Sequence, residues 1–405
     1  MDPQPLLLVL LCVSLAQRTR EAVEEPGVRR RLISGNGPLD LGQSWGLKTP
    51  LMHMKANLTE VTSIRSTFEF RTLDPEGLVL YGDTHAGAEW FVLGLRGGVP
   101  EMQIRKSGTI AAVTGGPRLN NGHWHQVQLR SEGHSVVLEV NGTKALVVGL
   151  HSQHAQQDTT GLIRLSLGGI LVKDLELFNS LRLEMDGCVR TGNWLNLSQP
   201  WDTDLVGEPR ACYAHIRRGS FFPGTGLAVF NTSGYPTHMG TGRSITIGIE
   251  GHIGDWTGTL LAILNSQHKA ILTIAAQNQT QKLEVTFGER TDSLSLAHNE
   301  LLLNLSENAM QIALGDKVVT ELRDDTRDWL NIWDDGMLLA FGGVPNYRAN
   351  TSDSQYLHGC IWGIRIQDRE LDLDHALYKH SSISSHSCPA SPDLLESSPL
   401  LTAAH

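Results

Sequence analysis

The sequence predicts an all-β protein built from two similar β-sandwich domains. Short runs of strand-forming residues alternate with turn signals at intervals of about ten residues, which is typical of a sandwich. Helical periodicity is nearly absent. Leu167-Gly168-Gly169 followed by Gly187-Cys188 recurs as Phe341-Gly342-Gly343 followed by Gly359-Cys360. Because the two copies are separated by nearly equal distances along the chain, we expect one domain that has been duplicated.

The strands follow from this alternation, and glycine and asparagine residues that accept a positive φ separate or bound several of them. The first half predicts strands at Leu78–Tyr81, Trp90–Leu95, Met102–Ile104, Val127–Leu129, Val136–Val140 and Ile163–Leu167. The second half predicts strands at Ser244–Ile249, Thr259–Leu264, Ala270–Ile274, Leu283–Phe287, Leu301–Leu305, Met310–Ala313 and Met337–Phe341.

Length and composition agree with two hydrophobic cores. The chain has 405 residues, of which 40% are hydrophobic, and single cores rarely grow past roughly 250 to 300 residues. An apolar run, Leu6–Ala16, ends in small residues and predicts a secretory signal. We therefore expect a signal peptide at 1–16, an N-terminal segment at 17–44, a first domain at 45–215, a second at 216–390 and a disordered tail at 391–405.

Cysteine usage agrees with secretion. Of five cysteines, Cys12 lies in the signal, and the remaining four predict two disulfides, Cys188–Cys212 and Cys360–Cys388. The alternative is a zinc site, which the absence of Cys-x-x-Cys or Cys-x-x-His spacing disfavours. Seven sequons predict N-glycosylation, at Asn57, Asn141, Asn196, Asn231, Asn278, Asn304 and Asn350. The formal charge of −10 argues against nucleic acid or an anionic membrane as the main partner.

Five strands of the first half have an apolar face with a polar residue at or near one end. Every second residue of a strand faces the same way. Apolar walls with a few polar groups at the rim are typical of a site for a rigid, mostly apolar small molecule. The inward series are Ser66, Phe68, Phe70; Glu89, Phe91, Leu93, Leu95; Met102, Ile104, Lys106; Val127, Leu129, Ser131; and Ile163, Leu165, Leu167.

Three motifs carry a family resemblance: Phe68–Thr72 with Asp74–Asp83, Asn121–Val127, and Asp186-Gly187-Cys188. They resemble the laminin G-like domain, which implies two tandem jelly-roll sandwiches. Two such domains behind a signal resemble the sex hormone-binding globulin family over roughly residues 45 to 390. The resemblance implies a secreted plasma carrier of androgens and oestrogens that binds steroid between the sheets of the first domain and forms a homodimer.

The resemblance also implies which residues contact the steroid. Ser66 matches the serine at the ketone or phenol end, and Glu89 and Lys106 match the groups at the far hydroxyl. Phe91, Ser131 and Ile163 match apolar wall positions, and Met102 and Ile104 lie on the same inward face. Because Glu89 and Lys106 depart from the shorter aspartate and the asparagine of the family, we expect them to form an ion pair.

Metal sites follow partly from the same resemblance. Asp74 and Glu76 flank Pro75 and fit a structural Ca²⁺ site, with a solvated acidic turn as the alternative. No zinc site is expected near the pocket, because Ser107 and Thr160 occupy the matching positions.

Enzymatic function is not expected, since no His-Glu-x-x-His, Gly-x-Ser-x-Gly or phosphate-binding glycine motif occurs. A solvated loop is the preferred interpretation of the acidic run Asp324, Asp325, Asp328, Asp334 and Asp335, and Trp329 and Trp333 are expected to pack in the core. The alternative functions are an adhesive or receptor-binding pair of laminin G-like domains, and a carrier for another lipid. For a dimer, Trp90–Leu95 is a candidate edge strand.

Overall fold

The computed structural model describes residues 38–46, 49–61, 65–84, 87–132, 135–149, 161–195, 201–202, 210, 212–237, 243–277, 282–295, 299–315, 317–323, 328–345 and 356–390. The predicted signal, Cys12, Thr160, Asp324, Asp325, the tail and the sequons at Asn196, Asn278 and Asn350 lie outside these residues. Within the described part, no helix is both long and apolar enough to cross a lipid bilayer.

The first sandwich consists of two six-stranded antiparallel sheets. Its strands are β1 (Leu39–Asp40), β2 (Met52–Asn57), β3 (Arg65–Thr72), β4 (Gly77–Thr84), β5 (Glu89–Arg96), β6 (Val99–Lys106), β7 (Thr109–Thr114), β8 (His125–Glu132), β9 (Ser135–Val140), β10 (Thr143–Gly149), β11 (Leu162–Leu167) and β12 (Gly187–Asn193). One sheet has the order β1-β12-β3-β8-β9-β10 and the other β2-β11-β4-β5-β6-β7. Short 3-10 helices lie at Leu41–Ser44 and Leu58–Glu60.

The second sandwich repeats this plan with six- and seven-strand paths. Its strands are β13 (Ile216–Arg218), β14 (Ser220–Pro223), β15 (Ala228–Asn231), β16 (Ile245–Gly251), β17 (Gly258–Leu264), β18 (Ala270–Gln277), β19 (Lys282–Phe287), β20 (Arg290–Ser295), β21 (Glu300–Leu305), β22 (Ala309–Leu314), β23 (Lys317–Arg323), β24 (Leu338–Phe341), β25 (His358–Ile366), β26 (Arg369–Glu370), β27 (Tyr378–Lys379) and β28 (Ser387–Pro389). The helix α1 (Trp329–Asp334) and 3-10 helices at Thr232–Gly234, Ile253–Asp255 and Leu373–His375 complete it.

In the second sandwich the strand orders are β14-β25-β16-β21-β22-β23, with β26 paired to β25, and β20-β19-β18-β17-β24-β15-β27. Strand β13 pairs with β28 as a separate ribbon. The predicted boundary at 215/216 falls between β12 and β13. All the strands predicted from the alternation are present, and the all-β prediction is confirmed.

The inward parity of the first sandwich is confirmed. The core between its sheets contains the predicted apolar residues Phe68, Phe70, Leu93, Leu95, Met102, Val127, Leu129, Ile163, Leu165 and Leu167. Residues of the opposite parity on β5, Trp90 and Val92, lie in a second cluster on the outer face with Tyr81 and Leu181. Both faces of β5 are therefore buried, and this explains its nearly continuous apolar sequence.

Trp90–Leu95 is not an edge strand. Strand β5 lies between β4 and β6, so its backbone groups are already paired on both sides. The edges of the two described sheets are β1, β10, β2 and β7. The prediction was wrong because alternation reports burial and does not report the order of strands in a sheet.

Both predicted disulfides are confirmed. Cys188–Cys212 joins β12 to the segment before β13, with Cα atoms 6.4 Å apart, and Cys360–Cys388 joins β25 to β28, with Cα atoms 5.9 Å apart. The repeated glycines also take equivalent places. Gly168 follows β11 with a φ of 66°, and Gly342 follows β24 with a φ of 90°, a conformation that favours glycine.

The loop expected for the acidic run was wrong for its described residues, because Asp328 and Asp335 cap the helix α1 and Asp334 is its last residue. Asp328 caps α1 by accepting the N–H groups of Leu330 and Asn331 at 3.1 and 3.0 Å. Asp334 accepts a hydrogen bond from the Thr237 hydroxyl at 2.7 Å. Trp329 and Trp333 are fully buried, as expected for packing residues.

Candidate ligand-binding site

A cavity of about 200 Å³ lies between the two sheets of the first sandwich, at the end where β3 begins and β4 ends. Side chains from both sheets line it, and most of its walls are apolar. Six of the eight predicted steroid-contacting residues are among them: Ser66, Glu89, Phe91, Ile104, Lys106 and Ile163. The remaining lining residues are Gly82, Asp83, Thr84, Trp90, Arg105, Leu129, Arg130, Val136 and Leu195.

Met102 and Ser131 are placed elsewhere. Met102 is fully buried in the core, and Ser131 is exposed near the end of β8. The parity of Ser131 is inward, but its side chain is exposed and does not line the cavity. Its partner across the strands is Val136, which does line the cavity. Sequence reasoning missed Val136, although it begins a strand that the alternation predicted.

The absence of a side chain at Gly82 makes room for the aromatic wall. Gly82 pairs directly with Phe91 on β5, and a Cβ atom at Gly82 would lie 2.3 Å from the Phe91 ring and 2.8 Å from Leu165. Non-bonded carbon atoms do not approach this closely, so a larger residue at Gly82 would displace the Phe91 ring. No periodicity in the sequence distinguishes this glycine from others.

Ser66 supplies a buried hydroxyl to the cavity. Its Oγ accepts a hydrogen bond from the Leu195 backbone N–H at 3.2 Å, and the residue is 5% exposed. A serine hydroxyl has one proton to donate as well as its acceptor lone pairs. Because the Leu195 N–H uses the oxygen as an acceptor, the Ser66 O–H can donate to a carbonyl or phenolic oxygen of a ligand.

The polar residues at the mouth are arranged differently from our expectation. Glu89 accepts the backbone N–H of Ser107 at 3.2 Å, and within the described part of the chain no ion pair joins Glu89 to Lys106. Both side chains are half-buried and line the cavity. The expected pair is not formed, and the Glu89 carboxylate instead accepts a backbone N–H from the turn after β6.

Asp83 lines the rim but is already neutralised. Its buried carboxylate accepts hydrogen bonds from Arg164, with Nε 2.6 Å from Oδ1, and from the Tyr81 hydroxyl at 2.7 Å. The hydrogen bond to Asp83 raises the pKa of Arg164, and burial raises the pKa of Tyr81 well above its usual range. This acid therefore holds β4 to β11 and is not free to bind a ligand.

The two predicted calcium ligands, Asp74 and Glu76, have different partners in the structure. Asp74 is fully buried, and its two oxygens accept the backbone N–H groups of Glu76 and Asp186, each at 3.0 Å. Arg182 Nη1 and His386 Nε2 lie 3.7 and 3.4 Å from Asp74 Oδ1. The Glu76 carboxylate instead lies 3.9 Å from Arg96. Arg182 and His386 thus lie on the Oδ1 side of Asp74, where Asp74, Asp374 and His386 also place one possible metal-ligand atom each within 4.8 Å of one another.

Comparison with known proteins identifies the family. The model of the Laminin G domain matches residues 70–199. The sex hormone-binding globulin of Crocuta crocuta is 30% identical over 390 residues, covering 95% of this chain and 94% of that protein. The chain belongs to the sex hormone-binding globulin family. Another member, the sex hormone-binding globulin of Homo sapiens, is 32% identical and covers 92% of this chain and 89% of its own length.

Solved structures support the same fold. Domains LG4-5 of the mouse laminin alpha1 chain superpose with a TM-score of 0.61 at 17% identity, covering 90% of this chain and 99% of that one. At this identity the likeness concerns the fold alone. The fold of this sex hormone-binding globulin family member is therefore two tandem laminin G-like sandwiches.

Proposed function

We propose that this protein is a secreted carrier that binds sex steroids, androgens and oestrogens, non-covalently between the two sheets of its first sandwich. The cavity carries the proposal, because it combines apolar walls from both sheets with one buried hydroxyl, on Ser66. Six residues predicted from the sequence to contact steroid line this one space. The names of the relatives agree with the ligand class.

Apolar burial supplies most of the binding free energy. Enclosing roughly 500 Å² of a steroid at about 25 cal/mol per Å² gives on the order of 12 kcal/mol before costs. Association costs of several kcal/mol leave an affinity between about nanomolar and micromolar. The cavity volume of about 200 Å³ is below the roughly 300 Å³ typical of small-molecule sites. A four-ring ligand therefore extends into the mouth and contacts Lys106 and Glu89.

The Ser66 hydroxyl orients the ligand by donating to its ketone or phenol oxygen. Replacing Ser66 by alanine is expected to weaken binding by about 5- to 10-fold, because a hydrogen bond is worth about 1 to 1.5 kcal/mol. Titration of labelled dihydrotestosterone measures the change. Ser131→Ala is the matched control, since Ser131 is exposed and lies outside the cavity, and it should leave the affinity unchanged. Equal effects of the two substitutions would contradict this orientation.

Competition with labelled dihydrotestosterone tests the function itself. Oestradiol should compete strongly, while progesterone and cortisol should compete less, and binding should saturate at one steroid per first domain. The alternative function is an adhesive or receptor-binding ligand of the extracellular matrix. A protein of that kind would bind none of the four steroids saturably.

Secretion also makes the exposed sequons candidate glycan sites. Asn57 and Asn231 are exposed at strand ends, and each accepts a backbone N–H through its Oδ1, so the Nδ2 atom is left for a glycan. Asn141 is exposed but its Nδ2 contacts His125 at 3.1 Å, and Asn304 is half-buried within β21. We expect glycans at Asn57 and Asn231, and peptide mapping after enzymatic deglycosylation would detect them.

The homodimer stays a prediction from the family resemblance. Strands β7 and β10 are edges of the two sheets and lie next to each other, so they offer unpaired backbone groups to a second copy. Sedimentation of the purified protein measures the oligomeric state.

A further inference from the structure

A cluster of buried charges joins the two sandwiches. Asp74, in the turn between β3 and β4, and Arg182, before β12, come from the first sandwich. The second sandwich contributes the four other members: Asp372, Asp374, Lys379 and His386. Asp74 and Asp374 have no exposed side-chain surface, and Lys379 has 2%. We call these six residues the interdomain charge cluster.

His386 contacts acids of both sandwiches. Its Nε2 atom lies 3.4 Å from Asp74 Oδ1, 3.1 Å from Asp374 Oδ2 and 3.5 Å from Asp372 Oδ1. Arg182 makes the reciprocal contacts from the first sandwich, because its guanidinium lies against Asp374 and 3.4 Å from Asp372. Each sandwich therefore places a cation among the acids of the other.

Two residues, Lys379 and Asp186, extend the cluster across the interface. Lys379 Nζ is 2.9 Å from Asp374 Oδ1 and 3.4 Å from the centroid of the Trp45 ring of the first sandwich. Asp186 of the first sandwich accepts the His386 backbone N–H at 3.1 Å and a hydrogen bond from the Ser384 hydroxyl. A lysine over an aromatic ring gains cation–π stabilisation when it is desolvated.

The balance of charges in the cluster favours this relative placement of the two sandwiches. With all six groups ionised, the cluster contains three carboxylates and three cations, and each cation lies within ion-pair distance of at least one acid. Contacts between domains are usually compatible with relative motion unless the interface is large and apolar. A different docking of the sandwiches would break the contacts of His386 with Asp74 and of Arg182 with Asp372 and Asp374, and an unpaired charge that stays buried is strongly unfavourable.

We propose that Asp74 anchors the second sandwich to the first through the interdomain charge cluster, in the position where a calcium ligand was expected. The geometry carries the proposal. Both Asp74 oxygens accept backbone N–H groups, and the side chains of Arg182 and His386 lie within ion-pair distance of Oδ1. The Asp74 carboxylate thus acts as an acceptor for the second domain.

A double-mutant cycle on the full-length glycoprotein tests the anchor, using Asp74→Asn, His386→Gln and the two together. Each single substitution is expected to lower the Tm by about 5 °C or more. The double variant should melt close to the worse of the two single variants, because both remove one shared contact. Small-angle X-ray scattering should give a larger radius of gyration for all three. Asp174→Asn is the matched control, since Asp174 is exposed, and its Tm should change by no more than about 1 °C.

Ligand binding separates the anchor from general unfolding. The turn carrying Asp74 and the cavity lie at opposite ends of β3 and β4, and strands of eight residues are about 26 Å long. Asp74→Asn should therefore leave the dihydrotestosterone affinity within about twofold. If Asp74→Asn is not secreted, Arg182→Gln takes its place in the cycle, because Arg182 contacts the same three acids as His386.

Two results would overturn the proposal. One is a double variant whose loss of Tm equals the sum of the single losses and whose radius of gyration equals that of the wild-type protein. The other is a Tm that rises with added CaCl₂ and falls with EDTA in the wild-type protein but not in Asp74→Asn, which would make Asp74 a calcium ligand.

Discussion

Replacing Val136 by tryptophan is expected to weaken dihydrotestosterone binding by at least about 100-fold, which corresponds to about 2.7 kcal/mol. Val136 is half-buried at the start of β9 and lines the cavity. An indole at this position enters a space of about 200 Å³ that the steroid needs. Displacing about a fifth of the roughly 500 Å² of steroid surface would remove about 2.5 kcal/mol of apolar burial.

Val147→Trp is the matched control for this prediction. Val147 lies on the neighbouring strand β10, paired with Val137, and is 42% exposed. Its replacement adds the same indole outside the cavity, so the affinity should not change. Titration of both variants, with thermal melting as a check on folding, measures the difference. If Val136→Trp folds and binds steroid as the wild-type protein does, the ligand does not occupy this cavity.

Much of the candidate site was predictable because strand residues alternate strictly between two faces. Phe91, Ile104 and Ile163 were assigned to the interior from parity alone, and the structure places all three at one cavity. Parity reports which face a residue occupies, but it does not report where along the strand the cavity lies. For this reason Met102 fell in the packed core and Ser131 in solvent.

Contacts that depend on loops or on the other domain could not be predicted. Glu89 was expected to pair with Lys106, but the turn after β6 presents the Ser107 N–H to it. Asp74 lies 312 positions from His386 in the sequence, and no local pattern relates the two residues. The acidic turn around Pro75 therefore predicted a metal site, whereas its partners are basic residues of both sandwiches.

The stability of the protein should fall as the pH rises from about 6.5 to about 9. Burial opposes the charged form of His386, but its hydrogen bond to Asp374 and the charges of Asp74, Asp374 and Asp372 raise its pKa to about 9. The contribution of a raised histidine pKa is complete below the unfolded pKa of about 6.5 and is lost as the pH approaches the folded pKa. The loss is on the order of 3 kcal/mol.

The other members of the cluster do not reverse this trend. Burial raises the pKa of Asp74 to about 7, so its effect on stability also decreases with pH, between about 4 and 7. Asp374 stays ionised throughout, because the hydrogen bond from His386 and the charges of Lys379 and Arg182 outweigh its burial and hold its pKa well below the usual range. Burial lowers the pKa of Arg182, but the charges of Asp374, Asp74 and Asp372 outweigh this effect and raise it. Arg182 therefore remains charged over the same interval.

Urea unfolding at pH 6.5 and at pH 9 measures the predicted loss, and His386→Gln should remove most of it. His215→Gln is the control, since His215 is exposed in the segment before β13, and it should keep the wild-type dependence on pH. A wild-type free energy of unfolding that is the same at both values of pH would contradict a charged His386 in the folded protein. Loss of the pH dependence in His386→Gln but not in His215→Gln would assign it to the contact between the two sandwiches.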